Sequence, residues 1–319
     1  MSGSYRVVVA PDKFKGSLRA DEVAEALTEV LSRQPRVEVV KHPVADGGEG
    51  TVELALAAGF EPIAVNVTDP LGRLVEATFA MRDHMAVIEM ASPAGLALLP
   101  SAPDPTTAWS ATTYGVGELI LAALDRGATH LVVGAGGSAT TDGGAGAVEA
   151  LGIDVAALGQ VPHSPTAPRT RLDGRLAWVD LVVACDVDNP LLGAAGAAAV
   201  YGPQKGADPR CVADLEQRLT SWADEVAAAT EQDIRHMPGA GAAGGLSFGL
   251  VALAGARLVS GARKLALTCQ FVTPTSMRRF APLPHIDQIT TGFTTSRRPE
   301  FTHPLLFATL ARIVHGSVA

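Results

Sequence analysis

The sequence predicts an α/β protein in which a parallel sheet carries helices on its faces. Short β-branched runs are repeatedly followed by a polar, Gly-rich loop and then by a segment of helical periodicity, the pattern of strand–crossover–strand units. At 319 residues, 47% of them hydrophobic, the chain is long enough for two domains with a large core. A compositional break lies near Arg263. Residues 1–262 hold 18 Lys and Arg against 31 Asp and Glu, a balance of −13. Residues 263–319 hold 7 against 2, a balance of +5, together with nine Thr and five Pro.

The elements follow in order. Arg6–Ala10 is a β-branched run, Pro11–Ser17 a polar loop, and a helix follows with Val23, Leu27, Val30 and Leu31 on one face. Val37–Val40 reads as the next strand, His42–Gly50 as a loop and Thr51–Ala58 as a helix. Ile63–Val67, Val75–Met81 and Ala86–Met90 are closely spaced strands, which implies some antiparallel pairing. Thr113–Asp125 is a helix ending at Gly127, Leu131–Gly134 a buried strand, and a small-residue helix runs to Leu151. Residues 157–177 lack periodicity and form a connector or flap, after which Asp180–Cys185 is another buried strand. Asp208 is placed to cap a helix with Pro209 in its first turn, and Val212, Leu215, Leu219, Trp222 and Val226 form its apolar stripe. Leu246–Ala256 is a further helix, and Leu305–Val314 a last one.

Composition excludes several classes. No apolar run is long enough to span a bilayer, and the short polar start, Met1–Tyr5, is not a signal peptide. Cys185, Cys211 and Cys269 are widely spaced and odd in number, against a disulfide framework or zinc site and in keeping with the cytoplasm. A net charge of −8 offers no field for nucleic acid. The histidines form no HxxxH or HExxH pattern, and no serine sits in a GxSxG elbow.

Five loops carry candidate chemistry at strand ends or helix starts, where α/β sheets place ligands. Pro11–Ser17 offers Lys13, Lys15 and Ser17 ahead of a helix, suited to an anion or to a solvated turn. Ala45–Gly50 sets Asp46 and Glu49 around a glycine pair; such oxygens suit Mg²⁺, or cap the next helix. Gly134–Gly146 packs Gly136, Gly137, Ser138, Thr140 and Asp142 into one strand-to-helix turn. It is neither a Walker A nor a dinucleotide-binding loop, yet it can form a nest of N–H donors for phosphate. Helix packing would explain its glycines but not Asp142 with Ser138 and Thr140. Ala184–Pro190 ends a buried strand with Asp186, Asp188 and Asn189, a metal or general-base position or an Asx turn before Pro190. Tyr201–Gly206 sets Lys205 among glycines for a phosphate, or as an exposed turn lysine. The later Pro238–Gly245 stretch, with Gly244 and Gly245, adds another helix-start nest.

Taken together these segments resemble the bacterial glycerate kinase family. The resemblance is carried by Ala10–Ser17, Val44–Thr51, Thr68-Asp-Pro-Leu-Gly72, Ile88-Glu-Met-Ala91, Tyr114-Gly-Val-Gly117 and Gly136–Gly146. Cys185-Asp-Val-Asp-Asn-Pro190, Gly202-Pro-Gln-Lys-Gly206 and Pro238–Gly245 complete it. It covers residues of about 6 to 262. The resemblance implies ATP-dependent phosphorylation of glycerate with Mg²⁺, and two α/β domains: a flavodoxin-like parallel sheet with helices on both faces, and an inserted second α/β domain. The corresponding boundaries are 1–68 for the first part of the flavodoxin-like domain, 69–256 for the insertion and 257–319 for an atypical tail. On this reading Lys13, Lys15 and Lys205 contact phosphate or the substrate carboxylate. Asp46, Asp186 or Asp188 holds Mg²⁺ or orients the hydroxyl. Ser17, Gly136, Gly137, Ser138, Thr140, Asp142, Gly244 and Gly245 cradle the nucleotide or substrate.

The family continues with a Thr-Gly-Glu-Gly strand end, then Asp, Gln-Thr and Gly-Lys. After Arg263 none of these follows, and Thr291-Gly-Phe-Thr294 lacks the carboxylate. The tail is therefore expected to be a replaced or frame-shifted terminus. Three readings stay open: an active glycerate kinase, a kinase for a related hydroxy acid, and a catalytically impaired member that only binds ligand.

Overall fold

The structure, a computed structural model, describes residues 5–9, 11, 20–41, 48, 50–158 and 172–260. Lys13, Lys15, Ser17, Asp46, Glu49, most of the expected connector and everything after Ser260 lie outside the described residues. The chain divides into two compact units, with Met1–Pro43 in one and Val44–Cys269 forming the other.

In the first unit, β1 (Tyr5–Val9) and β2 (Val37–Lys41) pair in parallel, in register Tyr5↔Val37 to Val9↔Lys41, with α1 (Ala20–Leu31) between them in sequence. Val7, Val9 and Ala24 make its core, with Leu31, Val37 and Val39 packed against them. Of the expected helix face, Val23 is buried, whereas Leu27 and Val30 are exposed.

The second unit opens with α2 (Thr51–Ala57), β3 (Glu61–Thr68), β4 (Leu74–Arg82), β5 (Met85–Glu89) and α3 (Ala91–Ala94). Then come α4 (Pro105–Ser110), α5 (Tyr114–Asp125), β6 (His130–Gly134), α6 (Ala145–Ala150), α7 (Val155–Leu158) and β7 (Asp180–Cys185). It continues through α8 (Ala197–Tyr201), a 3-10 turn at Pro203–Lys205, α9 (Pro209–Thr230), α10 (Leu246–Ala254) and β8 (Arg257–Ser260).

The strands form one six-stranded sheet in the order β3-β4-β5-β6-β7-β8. The β3–β4 and β4–β5 pairs are antiparallel and the other three parallel. Asp69 closes the first hairpin: its carboxylate accepts the N–H groups of Leu71 at 2.8 Å and Arg73 at 2.9 Å, and the Arg73 guanidinium at 2.7 Å. Right-handed crossovers between strands laid down in sequence order put the connecting helices on a single face. The side-chain alternation agrees. Phe79, Ile88, Leu131, Val133, Leu181 and Val183 join the main core with Leu119, Ile120, Leu215 and Phe248. Ala80, Val87, Val132 and Ala184 face the other way, onto Val52 and Ala55 of α2 and onto Phe60.

Two domain boundaries differ from expectation. Segment 44–68 belongs to the second unit, because β3 pairs with β4 along its length, from Glu61↔Met81 to Thr68↔Leu74. Residues 257–260, expected to open the tail, are β8, which extends the sheet beside β7 from Val182↔Arg257 to Cys185↔Ser260. No described helix is long and apolar enough to cross a membrane.

Candidate active site

The parallel strands β5, β6 and β7 deliver three loops side by side. Register pairs Glu89 with Gly134 and Gly134 with Ala184, so the chain leaves the sheet at Met90, Ala135 and Cys185 along one edge. The loops are stitched together: Met90 N–H donates to Gly134 O, Ala135 N–H to Ala184 O, Leu96 N–H to Gly137 O and Ala139 N–H to Ala94 O.

After β6, Gly136 is half-buried and Gly137 exposed, the latter in the left-handed region at φ 72°. This is the open part of the loop. From Ser138 onward the chain turns inward, and Ser138, Thr140 and Thr141 are buried. Thr140 Oγ1 donates to Ala243 O at 3.4 Å. Asp142 is a structural hub. Its carboxylate accepts the Thr113 N–H and hydroxyl, each at 2.8 Å, the Gly144 N–H at 3.1 Å and the Gly146 N–H at 3.2 Å. Packing thus explains the acid that sequence reasoning set aside for a ligand.

Gly244 and Gly245 are likewise buried against protein. A Cβ on Gly244 would stand 1.9 Å from Thr140 O, and its φ is 70°, so only glycine allows the approach. The expected nest is filled by the neighbouring loop.

After β7, Asp186 and Asp188 are both exposed. Burial pushes the Cys185 thiol up; its contact with Val187 O opposes this, and the Asp186 and Asp188 charges raise it further. Asn189 is used structurally: its amide donates to Ala195 O at 2.8 Å and accepts the Tyr201 hydroxyl at 2.6 Å.

Lys205 departs most from expectation. It is 1% exposed, and its ammonium donates to the carbonyl of Thr140. Burial lowers its pKa to about 7, with the Asp142 charge pulling the other way. It supports the Gly134–Gly146 loop from within instead of meeting a ligand at the surface. Lys13, Lys15, Ser17 and Asp46 lie outside the described residues.

Sequence reasoning gave no individual site role to Glu89, Thr113, Arg218 or Trp222. Glu89 Oε2 accepts the N–H groups of Gly50 at 3.0 Å and Val52 at 3.3 Å, fixing the start of α2. Arg218 donates to Trp109 O at 2.7 Å and Thr141 O at 2.6 Å, with its guanidinium 4.5 Å from the Trp109 ring centroid. A cation bordering the apolar stripe of α9 was the available signal.

The sequence profile of the glycerate kinase family matches residues 7–277. The chain belongs to the glycerate kinase family. That match runs past the compositional break at Arg263, beyond the reach expected from the motifs alone. The glycerate 2-kinase of Escherichia coli (strain K12) is 43% identical over 271 residues, covering 80% of this chain and 70% of that protein. A glycerate kinase of Bacillus subtilis (strain 168) is 46% identical over 259 residues, covering 77% and 67%. A crystal structure from Salmonella typhimurium LT2, of a protein assigned as glycerate kinase 2, matches with a TM-score of 0.70 at 40% identity, over 84% of this chain and 74% of that one. Within this glycerate kinase family member, several signature glycines serve close packing. A Cβ on Gly115 would meet Thr68 O at 2.0 Å, and one on Gly117 would meet Ala147 O at 2.3 Å.

Proposed function

We propose that this chain transfers the terminal phosphoryl group of ATP to a hydroxyl of glycerate, with Mg²⁺. The observation that carries the reading is the pairing of the open Gly136–Gly137 turn with the exposed carboxylates of Asp186 and Asp188, at the carboxyl ends of neighbouring strands β6 and β7. Ligands of α/β sheets sit in that position. Membership of the glycerate kinase family supports the choice of substrate and donor.

Phosphoryl transfer asks a protein mainly to position reactants and balance charge. The backbone of Gly136 and Gly137 approaches a phosphate without side-chain obstruction. No group of three or more His, Cys, Asp or Glu converges among the described residues. Mg²⁺ nonetheless needs only one or two carboxylates when phosphates and water complete its shell, and Asp186 fits that donor set. Bound there, Mg²⁺ would offset the negative charge of the phosphates. Asp188 would orient the glycerate hydroxyl. Lys13, Lys15, Ser17 and Asp46 are the sequence-derived candidates for the remaining anion and metal contacts.

The test is ADP release from Mg-ATP with D-glycerate, using purified protein checked for folding, with the product identified by phosphorus NMR. Turnover to a phosphoglycerate is expected. A well-folded chain that releases no ADP above the glycerate-free control would overturn the proposal.

A further inference from the structure

We propose that Lys205, Arg218 and Trp222 are positioning residues that set the shape of the Gly134–Gly146 loop by holding its carbonyls from inside the protein. The inference deepens the kinase reading and rests on it for its catalytic consequence. Three carbonyls of this loop accept from long side chains: Thr140 O from Lys205 Nζ, Thr141 O from Arg218 Nη2 at 2.6 Å, and Gly143 O from Trp222 Nε1 at 3.0 Å. The donors lie 65, 77 and 79 residues from their acceptors.

All three come from one continuous piece of chain. Lys205 ends the 3-10 turn that leads to α9, and Arg218 and Trp222 are four residues apart on that helix, hence on one face. The piece is itself anchored. Asp208 caps α9 by accepting Cys211 N–H at 2.7 Å, and Gly206, at φ 95°, packs so closely that a Cβ would stand 2.3 Å from Asp104 N. Trp222 is buried and fits only because Gly143 has no side chain: a Cβ there would meet its ring at 2.4 Å.

Three of the loop's N–H groups are also engaged. Gly143 N–H donates to Gly244 O, and the Gly144 and Gly146 N–H groups go to Asp142. Flipping any of the three peptides that carry these carbonyls would strip a side-chain donor of its acceptor. The inward half of the loop therefore has one conformation, and it dictates where the exposed Gly136–Gly137 half stands.

The experiment uses the full chain carrying Lys205→Met or Trp222→Phe, each removing one donor while keeping most of the packing. Hydrogen–deuterium exchange is followed on peptides spanning 134–146 and on α5 as an internal reference, beside ADP-release kinetics. Expected are faster exchange in the loop peptide with α5 unchanged, and a fall in kcat of about tenfold or more with KM nearly constant. Unchanged loop exchange in both variants overturns the inference. Faster exchange with unaltered kcat overturns the positioning role as well. Should the wild-type chain lack turnover, the kinase reading falls by itself, and the exchange result still decides whether these side chains hold the loop. Trp222→Phe decides the matter if Lys205→Met does not fold.

Discussion

The carboxylate of Asp142 receives both the backbone N–H and the hydroxyl of Thr113, each at 2.8 Å, and so ties the start of α6 to the start of α5. The same carboxylate serves two glycine N–H groups of its own loop. Asp142→Asn keeps the shape but turns one acceptor oxygen into a donor that faces other donors. It should cost roughly 1–3 kcal/mol in urea unfolding, the range for hydrogen bonds to a charged group. A loss below about 0.5 kcal/mol, the scatter of neutral surface changes, would sink this account.

Gly115 packs where any side chain would collide with Thr68 O, at 2.0 Å from a built Cβ. That oxygen belongs to backbone and cannot swing away. Gly115→Ala should lower stability by about 2 kcal/mol or more. Gly174, with open space around it and no left-handed φ, is the matched control, and Gly174→Ala should stay within about 0.5 kcal/mol. Thermal melts of the pair give the comparison; equal melting temperatures would contradict it.

Lys205 makes stability depend on pH in a defined direction. Burial lowers its ammonium from the ordinary 10.5 to about 7. Between those values the unfolded chain holds a proton that the folded chain has released, so stability gains from this group as pH rises through the window. Below about 7 both states are protonated and the cost of the buried charge is felt in full. Urea unfolding of wild type and Lys205→Met across the window should show wild type gaining on the variant as pH climbs. A gap that does not change with pH would refute the assignment.

Asp186 and Asp188 are exposed, so their substitution should spare the fold and affect turnover. Asp186→Asn and Asp188→Asn are each expected to melt within a few degrees of wild type. The Mg²⁺-dependent ADP release should fall by about a hundredfold in at least one of them, the scale of a lost metal or general-base contact. Full turnover in both would remove them from the site.

How far the sequence could be read follows from where each residue's partners lie. Helix α9 was legible because its signals are local: Asp208 accepts Cys211 N–H, Pro209 sits in the first turn, and Leu215, Leu219, Trp222 and Val226 are buried as their spacing requires. Strand β7 matches its expected bounds because a buried strand is a continuous apolar run. The internal partners of the loop residues were not legible, for the converse reason. Asp142, Thr140 and Lys205 look alike whether they meet a ligand or one another, and each has a partner between 29 and 103 residues away. The glycines after β6 and the acids after β7 lie at the ends of neighbouring strands and are exposed or half-buried, so they stay candidates for a ligand.

The unbroken strand order β3-β4-β5-β6-β7-β8 bears on how the second unit is made. Each strand docks on the one synthesised just before it, so the sheet can lengthen while the polypeptide is still leaving the ribosome. No gap has to be held open for a later arrival. The clamp supplied by α9 emerges only after the glycine loop it grips, and α10 later still. A nascent chain stopped after β7 would therefore carry a nearly complete sheet whose loop is not yet locked, and the arrival of α9 and α10 would convert a scaffold into a finished site.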